Sequence, residues 1–189
     1  LFRGEEPIFI DGGVGTYTKT TFSDKRYTLW TMRSVYHNLP VIGGVEERAG
    51  REFTAADPTY DNDRISYALT HAYPTEAGIT SYRRTSYLTD NGAAVVDTLA
   101  LTEDKTVSWH WMTVDVPQID GNTLYFPDAG VRVTFTSTSG DPLTLTVVPV
   151  DLEGDVKLTS EWKRDMLHRI DVTAVHWTAG TFTMTAVAE

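Results

Sequence analysis

The chain has 189 residues, 41% hydrophobic and 22% charged, a balance that suits one globular domain with a sizeable core. Its formal net charge of −10 excludes a general basic face for nucleic acid or an anionic membrane surface, so a polyanionic ligand would need a local cluster of arginines. With no cysteine, disulfides and thiolate metal sites are excluded as well. No apolar run approaches the roughly 20 residues a bilayer span needs. Leu1–Glu6 already carries three charges, unlike a signal peptide. The sequence opens on Leu1-Phe2 without an initiator methionine, inside a strand-like run, and reads as a fragment or processed form of something longer.

In chain order, Pro7-Ile8-Phe9-Ile10 is an apolar strand that ends on the acidic turn Asp11-Gly12-Gly13. Lys19 to Lys25 is polar and forms a long excursion from the sheet edge. Val35-Tyr36-His37-Asn38 reads as a second strand, running into Leu39 to Gly44, and Asp57 to Asp63 as another loop. Strands are expected over 65–72, 78–88, 93–101 and 106–114. Turn chemistry separates them at Pro74-Thr75-Glu76, Thr89-Asp90-Asn91-Gly92 and Glu103-Asp104-Lys105. Clean alternation marks 131–136, 143–147, 170–174 and 182–186, the last two joined by a hairpin loop at Trp177 to Thr181, whose glycine can take φ > 0. Ser160 to Met166 is the best helix candidate. Strands at this spacing, without helix-length amphipathic runs between them, predict one all-β domain over residues 1–189. It is an antiparallel β-sandwich, supersandwich-like, with at most one short helix.

Two side chains stand out as candidates for chemistry. Asp11 and His37 close two strand-like runs 26 positions apart, and neither has an obvious packing role. Each has a plain reading: a turn carboxylate that accepts backbone N–H groups, and a core imidazole bonded to a sheet carbonyl. Together they are suitable ligands for zinc, but two are too few, and no HxH or HExxH supplies a third. Arg33, four residues before His37, would share its face in an extended strand and is the choice for a carboxylate partner. His110 and His176 are flanked by tryptophan, which suggests packed sheet faces or a sugar-stacking surface. There is no GxSxG elbow, P-loop or dinucleotide fingerprint. An acid pair of Asp11 with Glu46 or Glu47 can be drawn, but its carboxyl separation is not readable from sequence.

The run Phe9-Ile10-Asp11-Gly12-Gly13-Val14-Gly15-Thr16-Tyr17, then Tyr27 to Trp30, then Ser34-Val35-Tyr36-His37-Asn38-Leu39-Pro40, resembles the heparinase II/III-like polysaccharide lyases. Ile42-Gly43-Gly44-Val45-Glu46-Glu47 stands at the family's xxxGxxQ-like stretch, with Glu where glutamine is usual. The specific match covers about the first quarter of the chain; beyond it only the strand pattern agrees, including Tyr82-Arg83-Arg84 and Val95-Val96-Asp97.

The resemblance implies the C-terminal β-sandwich domain of a bacterial enzyme, cytoplasmic or exported, whose N-terminal α/α toroid is not in this chain. Such enzymes cleave uronic-acid glycans by β-elimination. The resemblance places Asp11 and His37 at zinc positions, with a third ligand expected upstream of Leu1. It makes Tyr17, Tyr27 and Arg33 candidates for contact with an acidic polysaccharide. It also implies that this chain alone is inactive, because the family's catalytic residues lie outside it. A second reading, from another class, is a metal-free carbohydrate-binding or structural sandwich. A separation of Asp11 and His37 beyond about 6 Å would favour the second, since zinc bonds are only about 2.1 Å long.

Overall fold

The computed structural model describes residues 1–189. Its strands are β1 (Phe2–Arg3), β2 (Glu6–Pro7), β3 (Pro40–Ile42), β4 (Ala56–Asp61), β5 (Arg64–Ala68) and β6 (Ile79–Thr89), followed by β7 (Gly92–Thr113), β8 (Gln118–Asp120) and β9 (Thr123–Phe126). β10 (Val131–Ser137), β11 (Thr144–Asp151) and β12 (Met166–Ala188) complete the set. One helix, α1 (Val156–Trp162), lies between β11 and β12. All strand pairings are antiparallel, as the alternating patterns predict.

Two long strands organise the molecule. β7 and β12 pair from Gly92↔Val187 to His168↔Thr113, with register shifts between Ala174 and Ala179. The early half of β7 borders β6, and the late half borders β3 at Pro40↔Trp109 and Ile42↔Val107. The late half of β12 borders β10, and its early half borders β11. One layer therefore runs β4-β5-β6-β7-β12-β10-β9-β8, and the other is built of β3, β7, β12 and β11. The same two strands cross from one layer to the other at the register shifts, where bulges let a paired ribbon bend without breaking.

The space between the layers is filled by large apolar side chains. Trp109, from the late half of β7, stacks on Phe182, from the late half of β12, with ring centroids 4.0 Å apart. Trp177 meets Trp109 edge-on at 5.0 Å. All three are fully buried, and 27 residues form this core. A second cluster, with Ile10, Met112, Val150, Leu158 and Leu167, packs α1 against the outer face of the smaller layer.

The bent ribbon corrects two expectations. Glu103 to Lys105 is not a turn, and Trp177 to Thr181 is not a hairpin loop; both lie inside continuous strands at the bend. Their turn-like composition marks a corner, where the chain changes layer and keeps its direction. Asp57 to Asp63 is mostly strand. β4 and β5 form a hairpin whose Asn62 and Asp63 both take positive φ, 45° and 60°, the conformation a two-residue type I′ turn requires. β4 itself is interrupted by Pro58 and by a register shift between Ala56 and Thr59.

Three further elements differ in detail. The helix begins at Val156, four residues before the expected start, because the Asp155 carboxylate caps it by accepting from Leu158 N at 3.1 Å; left-handed Lys163 ends it. Of Pro7 to Ile10, only Pro7 lies in a strand, and Ile10 makes an isolated bridge to Met112. Val35 to Asn38 is no strand either. Ser34–Tyr36 is a 3-10 turn that ends on His37, with Asn38 in the left-handed region.

One buried ion pair ties the larger layer together. Asp97 on β7 is inaccessible to solvent and accepts from Arg84 Nε and Nη2, each at 2.7 Å, from Trp109 Nε1 at 2.9 Å and from Tyr82 Oη at 3.1 Å. Four donors on one carboxylate are the condition under which a buried charge is tolerated. Replacing Asp97→Ala strands the Arg84 guanidinium and two neutral donors, so unfolding in urea is expected to lose about 3–5 kcal/mol of stability.

Candidate functional site

The segment 11–38 leaves the sheet after Ile10 and returns at β3. In between it lies as a chain of 3-10 turns, Thr20–Phe22, Arg26–Thr28, Trp30–Met32 and Ser34–Tyr36. Local turn bonds such as Arg33 N to Trp30 O (3.1 Å) and His37 N to Ser34 O (2.9 Å) satisfy its backbone. It is fastened to α1 and its N-cap at three places, one of them Lys157 Nζ donating to Val14 O at 2.7 Å. Asp155 accepts from Thr16 N at 2.9 Å and Thr16 Oγ1 at 2.8 Å, and Trp162 Nε1 donates to Gly12 O at 3.1 Å.

The two ends of this segment meet. His37 Nδ1 lies 2.7 Å from Asp11 Oδ2, well inside the separation a shared zinc allows. Asp11 Oδ1 accepts from Gly13 N at 2.9 Å, and Gly13 takes φ of 78°, which suits glycine at this turn. The plain reading of Asp11 as a turn carboxylate is therefore correct for one oxygen, while the other faces the imidazole.

His37 Nε2 lies 3.1 Å from the Thr31 carbonyl. A carbonyl only accepts, so Nε2 carries a proton. The remaining nitrogen then points its lone pair at a carboxylate unless something positive sits between them. A proton fills that role as an imidazolium, and a metal cation fills it equally well. Metal-bound histidines ordinarily donate their other ring N–H to a carbonyl in this way. The 2.7 Å separation is shorter than the roughly 3.3 Å between two ligands of a tetrahedral zinc. Admitting the ion therefore requires the side chains to part by about half an ångström. Asp11 and His37 fit as two ligands of such a set. No group of three or more His, Asp or Glu side chains in this chain converges to complete it.

Beside the pair lies an open cleft of about 630 Å³ whose lining includes Tyr27, Arg33, His37, Glu46, Glu47 and Arg48. Two of the three sequence-derived contact candidates, Tyr27 and Arg33, are thus on its wall. Tyr17 is not; it packs edge-on against Phe22 at 5.6 Å, with Lys157 Nζ 5.6 Å above its ring. Arg33 reaches a carboxylate of the protein itself, pairing with Glu46 through Nε (3.2 Å) and Nη2. Arg33 and His37 share the cleft because successive 3-10 turns bring them there, and strand alternation plays no part. Burial raises the Glu47 carboxyl above the usual carboxylate range, opposed by Arg84 and His37 nearby.

Three of the four other histidines have partners of their own. His110 Nδ1 binds Asp171 at 2.7 Å, His168 Nδ1 binds Val114 O at 3.2 Å, and exposed His176 binds Asp104 at 2.7 Å. The tryptophans flanking His110 and His176 are core residues, so no sugar-stacking surface forms there. Sequence reading missed what holds the pair in place. The Asn38 amide donates to Ile10 O and accepts from Met112 N, both at 2.8 Å, and Arg84 Nη1 donates to Asn38 O at 2.8 Å. The His-Asn dipeptide was the one available signal.

No family model matches the chain, and no curated protein matches it. Solved structures do share its fold. The heparan sulfate lyase HepC from Pedobacter heparinus aligns over 94% of this chain with a TM-score of 0.60 and 16% identity. A heparinase III gene product aligns over 95% with a TM-score of 0.63 and 12% identity, and a further heparinase III over 94% with a TM-score of 0.58 and 13% identity. The chain spans 27–28% of the length of these proteins, and at such identity the likeness establishes the architecture.

The Asp11–His37 contact fixes a pH dependence. The hydrogen bond to Asp11 raises the His37 pKa above its ordinary 6.5, and the bond to His37 lowers the Asp11 pKa below 3.8. The raised histidine contributes stability below pH 6.5 and loses it as pH rises through the folded-state pKa. The depressed aspartate contributes above pH 3.8 and loses it as pH falls through its own. Both contributions are complete between these limits. An Asp11→Asn substitution should therefore narrow the stability gap to wild type outside that window, and NMR titration of His37 should show its pKa dropping toward the ordinary value.

Proposed function

We propose that this chain is the β-sandwich portion of a polysaccharide lyase that cleaves uronic-acid-containing glycans by β-elimination. It forms one wall of the substrate cleft and supplies Asp11 and His37 to a zinc ion. The observation that carries this reading is the Asp11–His37 contact at the cleft, within an architecture shared with heparinase III structures.

β-Elimination removes the weakly acidic C5 proton of a uronate and protonates the departing glycosidic oxygen. It therefore needs the sugar carboxylate neutralised and a base and an acid within hydrogen-bond reach. Bound zinc would contribute fixed positive charge and a rigid cross-link between the two ends of the 11–38 segment. Tyr27 offers a hydroxyl and a ring face to a sugar, and Arg48 a guanidinium near Phe53. Arg33 is already neutralised by Glu46, so it serves a glycan only if that pair exchanges partners. The base, the acid and the remaining zinc ligand come from the rest of the enzyme, an N-terminal α/α toroid and the sequence joining it to this chain.

The direct Asp11–His37 hydrogen bond, complete without an ion, favours a second reading as a metal-free carbohydrate-binding or structural sandwich. One experiment separates the two. In the whole enzyme, His37→Ala should lower zinc affinity by more than the roughly 10–100-fold typical of an outer-shell partner, and lyase activity should fall with it. Activity that persists after zinc is lost would leave the metal irrelevant. The 189-residue chain alone should release no unsaturated uronate from heparan sulfate and should hold zinc weakly.

A further inference from the structure

Asp11 and His37 each lie one residue from the same clamp. Ile10 precedes Asp11 and Asn38 follows His37. The Asn38 side chain fills the gap between Ile10 O and Met112 N with two 2.8 Å bonds, while Ile10 N itself bonds Met112 O at 2.9 Å. An asparagine amide thus does the work of a missing strand residue at the edge of β7. Its backbone adopts φ of 57°, a region where asparagine is one of the few tolerated residues. Besides the Asp11–His37 contact, the Asn38 bond to Ile10 O is the side-chain hydrogen bond that joins the two ends of the segment.

The clamp is itself anchored. Arg84 uses two nitrogens on Asp97 and spends the third, Nη1, on the Asn38 carbonyl at 2.8 Å. A guanidinium held at two points by a fully buried carboxylate has little freedom left, so it fixes where the Asn38 carbonyl sits. Lysine cannot copy this, because a single ammonium cannot span a bidentate carboxylate and a carbonyl in a fixed fork.

We infer that Asn38 and Arg84 are positioning residues that set the approach of Asp11 to His37, transmitting the rigidity of the buried Asp97 network to an otherwise loosely tethered surface pair. This deepens the functional reading above and rests on it for its purpose, though the geometry stands without it.

The experiment reads the His37 ring proton directly, by 15N-histidine NMR at mildly acidic pH, alongside amide exchange in β7 and β12 as the control for an intact sheet. In wild type the Nδ1 proton between His37 and Asp11 should be observable and slow to exchange. Asn38→Gly keeps the left-handed backbone and removes the clamp; it should accelerate that exchange at least about tenfold while the sheet amides stay protected. Arg84→Lys keeps a charge beside Asp97 and should accelerate it in the same direction. Asn38→Asp keeps the acceptor for Met112 and loses the donor to Ile10, and replaces the glycine variant if that one fails to fold. An unchanged ring proton in the folded Asn38 variants overturns the inference, and one unchanged in Arg84→Lys removes Arg84 from it. A slow His37 proton in a whole enzyme that takes up no zinc sinks the metal reading and leaves this one standing.

Discussion

The structure depends on β7 and β12 remaining paired through a bend. Two strands of 22 and 23 residues form the middle of both layers, so each layer is built outward from the same ribbon. The bend brings Trp109 on one half over Phe182 on the other and buries Trp177 in the corner. Bulges at the register shifts release the local twist without giving up the ladder on either side. β3 and β6 attach to the two halves of β7, and β10 and β11 to the two halves of β12. The larger layer extends from there through β5 and β4 on one side and β9 and β8 on the other.

The cleft is walled by the 11–38 segment and the loop after β3, which are anchored along the edge of β7 that β12 does not use. β3 covers part of it and Ile10 bridges a further position, while the 11–38 segment arches out between them in 3-10 turns. Such a segment has little regular hydrogen bonding to hold a shape. Its order comes from outside contacts, from Asp155 and Trp162 on one flank and Arg84 on the other. Asp11 and His37 are at its two ends, beside these contacts, whereas Tyr27 on the cleft wall is half exposed.

The sheet was largely legible in the sequence, because period-two alternation in stretches such as Val131 to Thr136 reports one buried and one exposed face. The corner was not. Trp177 to Thr181 combines small residues, threonine and glycine, a composition shared by a reversal and by a bulged bend, and only the partner strand distinguishes them. The Asp11–His37 pairing was legible through a short motif, whereas the path between the two residues was misread. Val35 to Asn38 has strand-like composition, and a left-handed asparagine overrides it. Arg84 and Asp97 lie 46 and 59 positions beyond Asn38, and nothing local links them to it.

The larger layer ends at β8 on one side and β4 on the other. β8 is only three residues long, and β4 carries a proline and a shifted register. Neither margin offers the straight row of free N–H and C=O groups on which a foreign strand could be templated. A neighbouring body, whether another domain or another molecule, therefore meets the larger layer through side chains on its face and loops, not through a strand added at its margins. The same blunted margins protect a wide, valine- and threonine-rich sheet from stacking edge to edge with copies of itself.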